Sequence, residues 1–124
     1  MKWYKDKKRL EIEKQAIKQF PKFRLIKKRN KIGAEGKIYT KYGNKYKVTL
    51  VFPENYPNSA PEAYCTNKKL KEPPHTLSKR KLCYFYDNDW QSNYTIDVAI
   101  SWVADWFDAY DHWRNYGTWR GKEF

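Results

Sequence analysis

The sequence predicts an α+β fold: an N-terminal helix, an antiparallel meander of about four strands, a long irregular segment, and a central helix near the end. Three observations carry this expectation. Apolar residues recur at helical spacing over residues 5–19 and again over 95–113. Between them, residues 22–53 alternate apolar and charged side chains around a Gly43-Asn44 pair, as half-buried strands and a hairpin turn do. Residues 67–94 follow neither period, yet hold Tyr84, Phe85, Tyr86 and Trp90, too many rings for a disordered stretch.

In order along the chain, Leu10, Ile12, Ala16, Ile17 and Phe20 form one stripe of a basic amphipathic helix over 5–19, and Pro21 stops it. Phe23 and Leu25 alternate with charges in a first strand over 22–30. A second strand over 31–40 and a third over 45–53 flank the turn, with Pro53 ending the third. Residues 62–66, EAYCT, supply a short fourth strand. In the last helix Val98, Trp102, Trp106 and Tyr110 sit four apart, with Val103, Phe107 and Trp113 beside them. Asp97, Asp105, Asp108 and Asp111 are expected elsewhere on that cylinder, Thr95 caps its N-terminus, and Asp97 suits the dipole.

The length, 124 residues, corresponds to one domain with one modest core. Mean hydropathy is −1.05, and no run reaches the ~20 apolar residues of a membrane span. The basic N-terminus lacks the apolar stretch of a secretory signal, so the expected compartment is the cytoplasm, with no membrane partner. Two cysteines, Cys65 and Cys83, do not make a disulfide framework, and both are expected as free thiols. Charge is uneven: residues 1–50 carry 17 Lys/Arg against 4 Asp/Glu, and residues 51–124 carry 9 against 10. A basic half of this kind is either a solvated face or a surface that meets an acidic partner.

Residues 52–90 hold five of the six prolines, both cysteines and one of the two histidines. The stretch opens with Phe52-Pro53-Glu54-Asn55-Tyr56-Pro57 and reaches Pro61. His75 follows, Cys83 lies eight residues beyond it, and Trp90-Gln91-Ser92-Asn93-Tyr94-Thr95-Ile96 leads into the last helix. This order resembles the ubiquitin-conjugating enzyme family. In that family an FP..YP...P turn, a His-Pro-Asn motif, a cysteine eight residues after its histidine, and a W...LTI run into the central helix occur in the same sequence. The chain departs from the family at His75-Thr76-Leu77, where the asparagine is absent, and it lacks the two C-terminal helices. In both respects it is similar to short bacterial relatives found in ubiquitin-like conjugation or antiphage signalling (CBASS) operons.

The resemblance implies a transferase in which Cys83 takes a protein's C-terminal acyl group as a thioester and passes it to an amine. A thiolate both attacks and leaves readily. Lys79, Arg80 and Lys81 could supply an electropositive setting for it. His75 is read as shaping the loop through hydrogen bonds, stiffened by Pro73-Pro74, ahead of a role as a base. Asp87 and Asp89 are the candidates to lower the pKa of an incoming lysine or accept its proton. With Leu77 in place of an amide, an oxyanion must be met by backbone N–H groups or by another amide such as Asn88 or Asn93. Cys65, between Tyr64 and Thr66 on a strand, is read as a small buried residue.

The implied partners are a protein acyl donor, either a ubiquitin-like protein or the C-terminus of a cyclic-nucleotide synthase, and an activating enzyme docking on the basic first helix. No cofactor is implied. Cys65, His75, Cys83 and His112 lack the paired spacing of a zinc site. Two rival readings stay open. One is a catalytically inactive adaptor of the same fold. The other is a nucleic-acid binder using Lys2-Trp3-Tyr4-Lys5 and Tyr39-Thr40-Lys41-Tyr42, although the chain carries no RNA-recognition, KH or cold-shock signature.

Overall fold

The computed structural model describes residues 2–28, 31–67, 70, 81–85 and 87–120. Its elements are α1 (Lys7–Ile17), β1 (Phe23–Lys28), β2 (Lys31–Tyr39), β3 (Lys45–Val51), β4 (Glu62–Cys65) and α2 (Ile96–Tyr116). Single 3-10 turns occur at Trp3–Lys5 and Asp87–Asp89. The four strands form one antiparallel sheet in the order β1-β2-β3-β4, the predicted meander. The layout is α+β and is consistent with a ubiquitin-conjugating-like fold.

Register explains the core. Ala34 faces Leu50, Gly36 faces Val48 and Ile38 faces Tyr46, and all six are buried on one face of the sheet. Gly36 has a reason to be glycine: a Cβ there would collide with the Phe23 ring and lie 2.5 Å from the Lys22 carbonyl. The helix α2 lies on this face, with Phe107 stacked on Tyr46 at 4.3 Å between ring centroids. Ile96, Ala99, Ile100, Val103, Trp106, Phe107 and Tyr110 are buried along it. Each large side chain so buried contributes about 1.5–3 kcal/mol. Intrinsic helix preferences of Val, Ile and Trp differ from alanine by less than ~1 kcal/mol. Packing therefore makes this segment helical.

The helices differ from expectation at their ends and on their faces. The first begins at Lys7 because the Asp6 side chain accepts hydrogen bonds from the amides of Lys8 (3.0 Å) and Arg9 (3.2 Å). Its buried row is Glu13, Ala16 and Ile17, while Ile12 is 52 % exposed. The true stripe runs through Leu10, Glu13 and Ile17, so a charge occupies the place expected of an apolar residue. The last helix runs three residues past Trp113 and ends where Gly117 turns left-handed (φ +78°), its amide bonded to the Trp113 carbonyl at 2.8 Å. Thr95 stands at the N-cap, but its hydroxyl donates to the Asp97 carboxylate and caps nothing. The Ile96 amide is met by Glu13 Oε1 at 2.7 Å.

Asp111, expected on the polar side, is buried with 2 % exposure. The β2–β3 turn spans Thr40–Asn44, with Gly43 at φ +84°, and folds over the end of α2. Its Thr40 hydroxyl (2.5 Å) and Asn44 amide nitrogen (3.1 Å) donate to Asp111 Oδ2, and the Tyr46 hydroxyl donates to Oδ1. The carboxylate is inside because three donors from the hairpin surround it.

Four tyrosines are held neutral. Tyr64 is pushed up to about 12, first by its hydrogen bond to Glu62 and then by burial. Tyr46, Tyr56 and Tyr84 are raised further, chiefly by burial. An unfolded phenol titrates near ~10, so the fold keeps protons that the unfolded chain releases above that pH. Their contribution to stability is complete below pH ~10 and lost as pH rises beyond it. Stepwise ultraviolet titration is expected to show some of the 11 tyrosines ionising only with unfolding. A single transition near ~10 for all of them would contradict this.

Candidate active site

Cys83 is positioned by an extra rung on the sheet. Beyond β4's free side, Lys81 pairs with Tyr64 in antiparallel fashion, and the Leu82 amide donates to the Ala63 carbonyl at 2.9 Å. Burial then alternates as in an extended strand: Leu82 at 2 % and Tyr84 at 1 % point inward, and Cys83 and Phe85 are partly exposed. The Tyr84 hydroxyl donates to the Pro61 carbonyl, fixing the chain just past the thiol. Cys83 thus stands at the rim of the sheet, partly exposed and held between two buried anchors. Cys65 is fully buried on β4, as its sequence setting implied.

The FP..YP...P turn is the frame behind it. Trp90 Nε1 donates to the Pro57 carbonyl at 2.8 Å, and Trp90 packs near Tyr56 with ring centroids 6.2 Å apart. The Tyr56–Pro57 peptide is cis. The Tyr56 hydroxyl donates to Glu13 Oε2 at 2.5 Å, and Arg9 pairs with the same oxygen at 2.7 Å. Arg9 also donates to the carbonyls of Ser92 (3.1 Å) and Tyr94, in the loop before α2. One buried carboxylate therefore joins α1, the proline turn and the start of α2. Sequence reasoning missed this pair; its signal was a glutamate on the helical stripe with an arginine four residues before it.

Among the charged candidates, Lys81 is ion-paired with Glu62 at 3.6 Å, and Glu62 also accepts from the Tyr64 hydroxyl at 2.6 Å. Part of the positive field expected at Cys83 is thereby offset. Asp89 is half-buried on the 3-10 turn that follows Cys83, directly before the buried Trp90. Asn88 and Asn93 are exposed. His75, Leu77, Lys79, Arg80 and the Pro73-Pro74 pair lie outside the described residues, as does the side chain of Asp87. Of the four residues put forward for catalysis, Cys83 follows the rung beside β4 and Asp89 ends the 3-10 turn at Asp87–Asp89.

Residues 13–124 match the family described as Type II CBASS E2 protein. The chain belongs to the E2-CBASS family. Its role is accordingly E2-like, within CBASS antiphage signalling and alongside other CBASS proteins. The match begins at Glu13, the carboxylate that ties α1 to the rest, and spans the proline turn, Cys83 and α2. No curated protein matches the chain. Among the described residues, no helix of this family member is long and apolar enough to cross a membrane.

Proposed function

We propose that this E2-CBASS protein is a cysteine-dependent transferase that carries a protein's C-terminal acyl group as a thioester on Cys83 and delivers it to an amine. The observation that supports this most is the setting of Cys83: a partly exposed thiol at the sheet rim, between two inward-pointing anchors. A thiol so held is reachable by an extended tail while its backbone stays fixed, which aligns attack. In a CBASS setting the family resemblance implies that the acyl donor is the C-terminus of a cyclic-nucleotide synthase rather than ubiquitin. The basic α1 is where an activating partner approaches, its lysines raising the encounter rate more than the affinity. His75 supports the loop, and Asp87 or Asp89 takes the proton of the incoming amine.

In chemical terms, the Cys83 thiolate adds to an activated carbonyl, the activating group leaves, and a thioester forms. The amine then adds to that carbonyl, loses a proton to a carboxylate, and expels the thiolate. The test is mass spectrometry of the chain co-expressed with its neighbouring genes. A thiol-labile adduct on the wild type is expected, with a thiol-stable ester on Cys83→Ser and no adduct on Cys83→Ala. Adducts indifferent to both substitutions would remove the transferase reading and leave an adaptor.

A further inference from the structure

A cavity of about 420 Å³ opens between α2, the β2–β3 turn and the segment just after Cys83, within the ~300–1,000 Å³ of small-molecule sites. Its walls are aromatic, chiefly Trp102, Trp106 and Trp119. At one end stand Lys41 and Arg120, close enough to His112 that their charges, after burial, lower its pKa. On the wall is Asp105, whose pKa is raised by burial and by the neighbouring charge of Asp108. Asp108 is itself engaged, accepting from the Lys41 amide at 3.2 Å.

One further observation points to a ligand. Trp106 is 3 % exposed, and its indole Nε1 is the buried side-chain polar atom that lacks a hydrogen-bond partner among the described residues. Buried donors are rarely left unmet, because such a group has lost water without gaining an acceptor. The half-buried Trp119 ring lies 5.4 Å from that of Trp106, on the short tail beyond Gly117. Trp106 and Trp119 both line the cavity.

We propose that this cavity binds a guanine nucleotide, with the base among the tryptophans and the phosphate at Lys41 and Arg120. An apolar group leaves the two cations and the indole donor unmatched. A bare anion leaves the rings unmatched, and a bare cation meets Lys41 and Arg120. A nucleobase stacks on aromatic faces, and a phosphate suits paired cationic side chains. Guanine offers ring and carbonyl acceptors to the Trp106 N–H, and two N–H donors to the Asp105 carboxylate. The site needs nothing from Cys83, so it stands or falls separately from acyl transfer.

The experiment is titration of the full chain with GMP, read by tryptophan fluorescence and calorimetry, beside guanosine, AMP and inorganic phosphate. Saturable binding of GMP is expected, about tenfold tighter than guanosine, the equivalent of one charge-assisted contact. Lys41→Glu with Arg120→Glu, both exposed positions, is expected to weaken GMP by at least about tenfold while leaving the melting temperature unchanged. Trp106→Phe keeps a ring, removes the donor, and is expected to weaken GMP several-fold. Cys83→Ser is expected to bind as the wild type does. Failure to saturate, AMP binding as tightly as GMP, phosphate alone competing as well as GMP, or an unaffected charge-reversed variant would each overturn the proposal.

Discussion

Glu13→Ala is expected to destabilise the protein by about 3–5 kcal/mol, the usual consequence of removing one partner of a buried ion pair. Glu13 is wholly buried, and its two oxygens accept from Arg9, from the Tyr56 hydroxyl and from the Ile96 amide. Alanine leaves a partly buried guanidinium, a buried phenol and the first amide of α2 without that acceptor. Against a typical total of about 5–15 kcal/mol, such a loss is a large fraction of stability. Urea unfolding followed by circular dichroism measures it. Tyr56→Phe, which removes one donor and keeps the ring, is expected to cost only about 1 kcal/mol. A loss below about 1 kcal/mol for Glu13→Ala would place the pair with ordinary surface ion pairs and contradict its role as a junction.

Asp111→Ala is the second large effect, and its location distinguishes it from the first. Three donors, from Thr40, Asn44 and Tyr46, converge on this carboxylate. Thr40 and Tyr46 are buried, whereas Asn44 is exposed and can turn to water; each buried group left unsatisfied costs about 1–3 kcal/mol, so a loss of about 2–6 kcal/mol is expected. Because all three donors lie on the β2–β3 hairpin, hydrogen exchange should accelerate first at the amides of Gly43 and Asn44. Asp111→Asn keeps the shape and one acceptor, and is expected to recover a substantial part of the loss. Uniform acceleration across the whole sheet, with no excess at the turn, would contradict the pinning role.

The element order was legible in the sequence because it rests on periodicity, and periodicity reports which face is buried. All four strands and both helices lie where spacing placed them, within a few residues at each end. What was not legible were the buried charges. A carboxylate on a helix is ordinarily outside, so Asp111 carries the signature of a solvent position and the stripe position of Glu13 was outweighed by its charge. Their burial depends on donors that are distant in the chain, Tyr56 for one and the Thr40–Asn44 turn for the other. Such partners become neighbours only through the tertiary fold. Thr95 was misread for the same reason: composition names a capping residue, but the group that meets the first amide of α2 comes from 83 residues away.

At the candidate site, Cys83 stood out in the sequence by its distance to His75 and by the turn before it. Its presentation was not, because the rung formed by Lys81 and Leu82 on β4 has no period of its own. The Lys81–Glu62 pair likewise joins residues whose closeness only strand pairing creates.

The outermost strand, β1, has a consequence for how copies of this chain behave in concentrated solution. The far side of the sheet is extended by Lys81 and Leu82, but β1 is paired on one flank alone within the four-stranded order. Unsatisfied strand flanks template polymerisation when they are flat and uncharged. Here the strand presents the exposed Lys27 on a chain of net charge +12, so two identical flanks approaching each other bring like charges together. Coulombic repulsion at that distance is screened by electrolyte, with a Debye length of ~10 Å at 0.1 M. Colloidal stability is therefore greatest in dilute buffer, and the onset of fibre-like association moves to lower protein concentration as ionic strength rises.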